Sequence, residues 1–172
     1  VGGGVIRAGA SKELRALAGL TGIPVVTTLM ARGAFPDSHV QHMGMPGMHG
    51  NYTAITALQQ ADLLIALGMR FDDRVTGNLK FFAPKAKIIH VDIDPNEIAR
   101  NYPVALGLMA DVRTFLRQML AELDARQSIR ERADARRSWL SAIAGYRREW
   151  EALVAPGYKD DTTPINPQRA AF

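Results

Sequence analysis

The 172-residue sequence predicts an α/β fold, a doubly wound parallel sheet with helices on both faces. Three observations predict it. Short apolar or β-branched runs alternate with helical patterns over residues 1–123. One of these runs is apolar throughout, which suits a parallel strand covered on both faces. Glycine or acidic residues follow the ends of several runs, where ligands bind in such sheets.

The first elements follow in order from the N-terminus. Residues 1–4 are typical of the end of a strand that enters a glycine turn, and we expect the chain to be an internal piece of a longer protein. Ser11 is placed to cap a helix, and Gly22 stands where that helix should end. Residues 24–28 predict a short strand. The long loop over residues 29–51 exceeds what a plain connection needs.

The central elements are a helix and two strands. Asn51 is placed to cap the helix, with Ile55 and Leu58 facing inward. Residues 63–67 form a continuous apolar run that ends at Gly68 and predicts a buried parallel strand. A second long loop over residues 70–84 leads to a strand at residues 87–92.

The remaining elements are less regular. Residues 94–97 have the pattern of a capping box with proline at the first helical position. Residues 104–109 predict a weaker strand, and Asp111 should cap the helix that follows. Residues 126–153 predict an arginine-rich helix that ends at Pro156 and packs on a neighbouring domain. A calmodulin-target or membrane-surface helix is the alternative interpretation.

Composition excludes several classes of function. Apolar residues make up 47% and charged residues 22% of the chain, the balance of a soluble globular protein. The net charge of +4 is divided equally between residues 1–123 and 124–172, so we expect no nucleic-acid partner. Cysteine is absent, which excludes disulfides, thiolate zinc sites and cysteine nucleophiles. No apolar run approaches the ~20 residues of a membrane span. The four histidines are not closely paired and predict no metal site.

Two short segments could meet a phosphate-bearing ligand. The backbone of Gly2-Gly3-Gly4 lets N–H groups come close to a diphosphate, although a plain tight turn explains the glycines equally well. Arg7 occupies the position where the common dinucleotide fingerprint needs glycine, so ordinary NAD binding is disfavoured. At Thr28-Leu29-Met30, a hydroxyl and a backbone amide could contact a polar ring edge, or the strand could simply end there.

Residues 70–78 form the densest cluster of charged groups. Two arginines flank Asp72 and Asp73 directly after a buried strand, an arrangement that offers guanidinium groups to phosphate or carboxylate. The alternative is a surface salt-bridge cluster worth ~0–1 kcal/mol per pair. Residues 44–50 carry methionine side chains that adapt to flat aromatic ligands. Asp92 could accept hydrogen bonds from ribose hydroxyls, whereas Asp94 has a competing role as a cap.

No set of residues forms a nucleophile, base and orienting group, so the residues alone indicate a dinucleotide-binding domain without a complete catalytic apparatus. Residues 2–4, 24–30, 47–50 and 70–78 resemble the Rossmann-like central domain of acetohydroxyacid synthase (acetolactate synthase) catalytic subunits, which depend on thiamine diphosphate. The resemblance covers residues 1–123. Residues 124–172 resemble the connector and the start of the next, pyrophosphate-binding domain.

The resemblance implies that FAD lies in an extended pose across the strand ends. The residues that correspond to its binding site are Gly2, Gly3, Gly4, Thr28, Leu29, Met30, Met48, His49, Gly68, Arg70, Asp72, Arg74, Val75, Asp92, Ile93 and Asp111. Arg74 also matches the residue that meets the carboxylate of the second substrate. Asp73, Arg74 and Met48 match positions near the substrate channel, where herbicides bind in the family. Met69 and Ala110 depart from the family pattern, and Ala110 could crowd the adenine end near Asp111.

The whole enzyme would condense pyruvate with a second 2-keto acid in branched-chain amino-acid biosynthesis, in the cytoplasm. The resemblance implies that its thiamine diphosphate and Mg²⁺ sites lie in other domains, so this chain would hold no catalytic residue and be inactive alone. The implied partners are the other domains, further catalytic subunits in a homodimer or homotetramer, and a regulatory subunit. An alternative is a non-catalytic middle domain of another thiamine-diphosphate enzyme, without a cofactor. An NAD-dependent deacylase is disfavoured because its common cysteine zinc module is impossible here.

Overall fold

The structure, a computed structural model, describes residues 1–126, 133–159, 161–165 and 169. It confirms the α/β class. The strands are β1 (Val25–Val26), β2 (His42–Gly44), β3 (Leu63–Leu67), β4 (Lys87–Asp92) and β5 (Leu106–Met109). The helices are α1 (Gly4–Arg7), α2 (Ser11–Thr21), α3 (Tyr52–Gln60), α4 (Asp73–Thr76), α5 (Val112–Asp124) and α6 (Ala133–Tyr158). Short 3₁₀ turns occupy Leu29–Ala31 and Leu79–Phe81.

All strand pairs in the described residues are parallel, in two groups. β1 pairs with β2, and β3, β4 and β5 pair in that order, with Leu67 opposite Val91 and Asp92 opposite Met109. The backbone of Val1 and Gly2 joins the groups: the Thr28 N–H donates to the Val1 carbonyl at 2.9 Å, and the Gly2 N–H to the Leu67 carbonyl at 2.8 Å. These two residues therefore hold the position of a strand between β1 and β3. An apolar cavity of about 120 Å³ lies between β1 and β3.

Alternate residues of the strands face opposite sides of the sheet, as the prediction of helices on both faces requires. Leu67 and Val91 pack with α2 and α5 in one buried cluster, whereas Ala66 and Ile88 pack with aromatic side chains on the other side. Glu13 of α2 also joins the two helices, because its Oε1 accepts hydrogen bonds from Arg113 and Arg117 of α5 at 3.0 and 2.9 Å. The hydrogen bond from Arg113 is the main cause that lowers the pKa of Glu13 to about 2.

The C-terminal helix differs from its prediction. α6 continues through Pro156 to Tyr158, and residues 127–132, which the prediction included, lie outside the described residues. The helix packs on this domain: Ile143 is buried with Met43 and two alanines of α3, and Trp150 stacks on Tyr52 with ring centroids 6.0 Å apart. Ile143 and Trp150 therefore contact residues 1–123, and packing of the helix on a neighbouring domain stays a prediction. In the part of the chain that the structure describes, no helix is long and apolar enough to cross a membrane.

Several local predictions also differ from the structure. Residues 94–97 form turns and no helix, although the Asp94 carboxylate accepts the Asn96 N–H at 2.9 Å as a capping residue would. Ser11 is the first helical residue, and the cap position is Ala10. Asn51 does cap α3 by position, but its side chain donates to the Met43 carbonyl at 3.0 Å and makes no capping hydrogen bond. Ile55 is exposed and does not face inward.

Candidate functional site

The carboxyl ends of the strands form one edge of the sheet, which we call the rim. Parallel pairing with aligned ends places Gly68, after β3, beside the end of β4 at Asp92, and Asp92 opposite Met109 at the end of β5. The Thr28 N–H donates to the Val1 carbonyl, and this bond brings the end of β1 to the same edge. Three of the residues predicted to bind a cofactor, Thr28, Gly68 and Asp92, thus lie along one rim, as the edge rule for parallel sheets requires.

The glycine segment lies directly against Gly68. The Gly4 N–H donates to the Gly68 carbonyl at 3.1 Å. A Cβ atom on Gly4 would stand 2.7 Å from the Gly68 Cα, and one on Gly2 would collide with the Gly68 carbonyl. Gly68 itself has a φ of +57°, which favours glycine. Close packing of two backbones therefore explains Gly2, Gly4 and Gly68, and their contact with a dinucleotide stays a prediction.

The arginine loop, residues 68–78, contains α4. Asp72 caps this helix, since its Oδ1 accepts the Arg74 N–H at 3.0 Å, and its Oδ2 accepts Arg70 Nη2 at 2.7 Å. The Arg74 N–H first, and then Asp73 and Arg70, hold the pKa of Asp72 below its usual value. Arg74 is freer: its side chain is 73% exposed, and the carboxylate of Asp73 lies 4.0 Å away. The loop thus presents one arginine paired with a carboxylate and one that extends into solvent.

The Met48 loop, residues 44–51, is bound to the arginine loop. The Met48 N–H donates to the Arg74 carbonyl at 3.1 Å. Gly47 has a φ of +96°, and a Cβ there would collide with that same carbonyl. The loop is also closed on itself, because the Asn51 N–H donates to the Met45 carbonyl at 2.9 Å. The Met48 loop is therefore a closed turn that is fixed to α4.

A cleft of about 390 Å³ lies between α3, the Met48 loop and α4. Met48, Asp73 and Val75 line it, together with Ile55 and Leu58 of α3. Two of the three predicted substrate residues, Met48 and Asp73, thus share one cleft. Arg74 lies next to it through its carbonyl bond to Met48, and His49 is exposed in the same loop.

The two ends of the rim differ in character. Near the glycine segment, Leu29 and Met30 are exposed, and Met30 lies next to Gly3. At the other end, Ile93 and Met109 are exposed. Thr28 stands at the start of the 3₁₀ turn that carries Leu29 and Met30. The rim therefore offers large apolar side chains to solvent at both ends, with the arginine loop between them along the sheet.

Both aspartates predicted at the far end also have structural roles. The Asp92 Oδ1 accepts the Asp94 N–H at 3.0 Å. The Asp111 Oδ1 accepts the N–H and the hydroxyl of Thr114 at 2.9 and 3.0 Å, which makes Asp111 the predicted cap of α5. The Ala110 N–H donates to the Asp92 carbonyl at 3.0 Å, so the two segments adjoin. Capping accounts for the Asp111 carboxylate, and its contact with a ligand stays a prediction.

A chain of polar groups that runs from a buried threonine to an exposed aspartate was not predicted from the sequence. The Thr27 Oγ1 lies 2.9 Å from His42 Nε2, and the His42 Nδ1 lies 3.3 Å from a carboxylate oxygen of Asp37. This order of groups is that of a nucleophile, a base and an orienting acid. Thr27 is completely buried, however, and burial lowers the pKa of His42. A substrate cannot reach the hydroxyl, so we assign no catalytic role to these groups. The hydrogen bond between Thr27 and His42 instead connects the residue that follows β1 with β2.

Two further residues that sequence reasoning missed support the arginine loop from beneath. His90 Nε2 lies 2.6 Å from the Met69 carbonyl, and the Asn101 Nδ2 donates to the Arg70 carbonyl at 2.9 Å. A histidine inside the otherwise apolar run of β4 was the available indication. Across the described ranges, no group of three or more histidine, aspartate or glutamate side chains could hold a metal ion.

Comparison with known proteins identifies the family. Residues 1–119 match the model of the thiamine pyrophosphate enzyme central domain. An acetolactate synthase of Mycobacterium avium is 65% identical over 120 residues, which are 70% of this chain and 19% of that protein. An acetolactate synthase of Mycobacterium bovis is 52% identical over 166 residues, or 95% and 26%. The acetolactate synthase isozyme 3 large subunit of Escherichia coli is 39% identical over 168 residues, or 98% and 28%.

The chain therefore spans 19–28% of the length of these relatives. The family match and the fold agree, since both identify an α/β domain built on a parallel sheet. The predicted boundary at residue 123 lies close to the end of the matched region and stays a prediction. Residues 1–119 of this chain match the central domain of the thiamine pyrophosphate enzymes, and the chain belongs to that family.

Proposed function

We propose that this chain is the central part of an acetolactate synthase large subunit, the subunit that condenses pyruvate with a second 2-keto acid. The names of the relatives and their identity over most of this chain support the proposal. The reaction needs thiamine diphosphate and Mg²⁺, whose sites we assign to other domains of the full-length protein. Its partners would be further copies of the same subunit and a regulatory subunit, since one relative is named a large subunit.

We further propose that the rim holds FAD. One observation carries this proposal: the glycine segment and the arginine loop are in direct contact at the same edge of the sheet. Arg70 and Arg74 are exposed cations that suit a diphosphate, and Asp92 is an acceptor suited to ribose hydroxyls. Large exposed apolar side chains suit flat rings; they are Leu29, Met30, Ile93 and Met109. The residues present therefore fit the group. In the family, bound FAD supplies structural support and no net redox step.

Arg74 is also the proposed partner of the second substrate. Its guanidinium is exposed beside the cleft that Met48 and Asp73 line, and a guanidinium binds a carboxylate through two parallel hydrogen bonds. Met48 and Asp73 would border the path of the substrate. The bond between the Met48 N–H and the Arg74 carbonyl would keep these groups at a constant separation.

The competing proposal is a non-catalytic middle domain without a cofactor. A domain that only joins its neighbours has no need of an arginine that extends into solvent at a strand end, and the exposure of Arg74 therefore favours the first proposal. The capping role of Asp111 and the backbone packing of the glycines are compatible with both. Binding of FAD decides between them.

The test is a titration of the purified 172-residue chain with FAD, followed by flavin fluorescence. We expect saturable binding that Arg70→Ala weakens by about tenfold or more, because a charge-assisted hydrogen bond is lost. Arg15→Ala is the matched control, since Arg15 is an exposed arginine on α2, and it should leave the affinity unchanged. A chain that does not bind FAD, or equal losses in both variants, would contradict the FAD proposal.

The activity is tested on the full-length protein, assayed for acetolactate formation from pyruvate with thiamine diphosphate and Mg²⁺ present. Arg74→Ala should lower kcat/KM for the second 2-keto acid by more than about tenfold while the melting temperature stays near that of the wild type. Absence of acetolactate formation by the wild type would refute the proposed activity. Parallel losses of activity and stability in the variant would refute the role of Arg74.

A further inference from the structure

Three successive carbonyl groups at the start of the arginine loop are bound from inside the protein. The Gly68 carbonyl accepts the Gly4 N–H at 3.1 Å, and the Arg70 carbonyl accepts the Asn101 side chain at 2.9 Å. Between them, the Met69 carbonyl lies 2.6 Å from His90 Nε2. In a planar trans peptide the next N–H points away from the carbonyl. The amides of Met69, Arg70 and Phe71 therefore point away from these donors, and they have no acceptor among the described residues.

His90 is the buried member of this set of donors. It lies in β4 with an exposure of 0%, in a run that is otherwise apolar up to Asp92. A carbonyl oxygen only accepts, so the Nε2 of His90 carries the proton and donates it to Met69. The other ring nitrogen, Nδ1, is buried and has no hydrogen-bond partner in the part of the chain that the structure describes. An unpaired buried nitrogen costs free energy that an apolar side chain would avoid, so the ring is costly as a mere core residue.

The ring of His90 also contacts the residue that closes the turn. Phe71 has a φ of +51°, a left-handed conformation that is unusual for a large side chain. Its ring meets the His90 ring edge-on with centroids 5.1 Å apart, and it stacks on Tyr102 at 5.9 Å. The histidine thus holds the Met69 carbonyl by a hydrogen bond and the Phe71 ring by packing. Arg70 lies between these two points of contact.

We propose that His90 is a positioning residue for the arginine loop: its Nε2–H and ring fix the turn at residues 69–71, so that the free amides and the guanidinium of Arg70 face an anionic ligand at the rim. The ligand class, a diphosphate, rests on the proposed FAD function. The positioning itself does not rest on that function. His90 contacts no ligand in this account and acts only through the backbone and ring of the loop.

The experiment compares three variants of the 172-residue chain. His90→Leu removes the donor, whereas His90→Gln keeps an N–H that can reach the Met69 carbonyl. Ile88→Val is the matched control, because Ile88 is buried in the same aromatic cluster but makes no bond to the loop. The readouts are the amide resonances of residues 69–74, the tautomer of His90 from its long-range ¹⁵N spectrum, the melting temperature and the FAD dissociation constant.

We expect the wild-type spectrum to show a proton on Nε2. His90→Leu should shift the amide resonances of residues 69–74 and raise the FAD dissociation constant by about tenfold, because a loop that is no longer fixed must be ordered when the ligand binds. His90→Gln should restore both towards the wild type. Ile88→Val should lower the melting temperature and leave both readouts unchanged.

A proton on Nδ1, or loop resonances that move equally in Ile88→Val and His90→Leu, would overturn the proposal. If the wild type does not bind FAD, the FAD function fails for this chain, and the tautomer and loop resonances still decide the role of His90. If His90→Leu does not fold, the tautomer and the His90→Gln spectrum decide it. The loop resonances of His90→Gln should lie close to those of the wild type. If they differ from the wild type as much as those of His90→Leu do, this result would also count against the proposal.

Discussion

The contact between Gly4 and Gly68 leads to a prediction that one methyl group can test. In Gly4→Ala the new Cβ would stand 2.7 Å from the Gly68 Cα and 3.1 Å from its carbonyl oxygen. Carbon atoms normally approach no closer than about 3.5–4.0 Å, so roughly 1 Å of overlap must be relieved. Both neighbours are backbone atoms, and the Gly68 N–H is held by the Val91 carbonyl at 2.8 Å. The two segments must therefore move apart.

The expected magnitude follows from two opposing terms. Overpacking of this kind costs about 1–3 kcal/mol. Gly4 is the first residue of α1, where alanine has the better helix propensity and returns at most about 0.5–1 kcal/mol. We therefore expect a net loss of about 1–2 kcal/mol in the free energy of unfolding. For a chain of this size, that loss lowers the melting temperature by about 2–8 °C.

The assay is urea denaturation followed by circular dichroism, with Gly19→Ala as the matched control. Gly19 lies inside α2, and a Cβ there would meet nothing within 4 Å, so the control should gain about 0.5–1 kcal/mol. Opposite signs in the two variants would support the packing of the glycine segment on Gly68. The reasoning is refuted if Gly4→Ala is as stable as the wild type, or if both variants lose stability equally.

Two further predictions concern the helices. The pKa of Glu13 is lowered from 4.5 to about 2, so the carboxylate stabilises the fold above pH 4.5 and this contribution is lost as the pH falls to about 2. Glu13→Gln should be less stable than the wild type near neutral pH and equal to it at about pH 2; a constant difference in urea midpoints across this range would contradict the ion pair. Ile143→Ala should cost about 2–5 kcal/mol, because the side chain is buried against Met43 and α3. Leu153→Ala, at a site with 73% exposure on the same helix, should cost almost nothing, and equal losses would show that α6 does not pack as described.

The strands that the sequence predicted well are those whose evidence is local. β3 and β4 have the predicted bounds because each is a run of apolar residues long enough to distinguish from its surroundings. β2 was not predicted because His42 is a polar residue that interrupts any apolar pattern. The residue that makes its burial possible, Thr27, lies fifteen positions away in the sequence. The capping pattern at Asp94 predicted a helix that does not form, because the pattern is also local and does not determine the outcome. The same carboxylate can cap a helix or close a turn, and only the surrounding structure selects between them.

Some features of the candidate site could likewise be predicted from the sequence, and others could not. That Gly68, Arg70, Asp92 and Asp111 share one edge could be predicted, because the carboxyl ends of parallel strands lie together. The contact of Gly4 with Gly68 could not, since two glycines 64 positions apart carry no local indication of a close backbone approach. The bond between the Met48 N–H and the Arg74 carbonyl is likewise invisible in the sequence, because any residue but proline has an N–H.

The bond between the Met48 N–H and the Arg74 carbonyl joins the Met48 loop and α4 into one unit. Gly47 lies against the same carbonyl, where a Cβ atom would collide with it. A displacement of α4 would therefore displace Met48 as well. A ligand that moves Arg74 would thus also change the width of the cleft that Met48 lines.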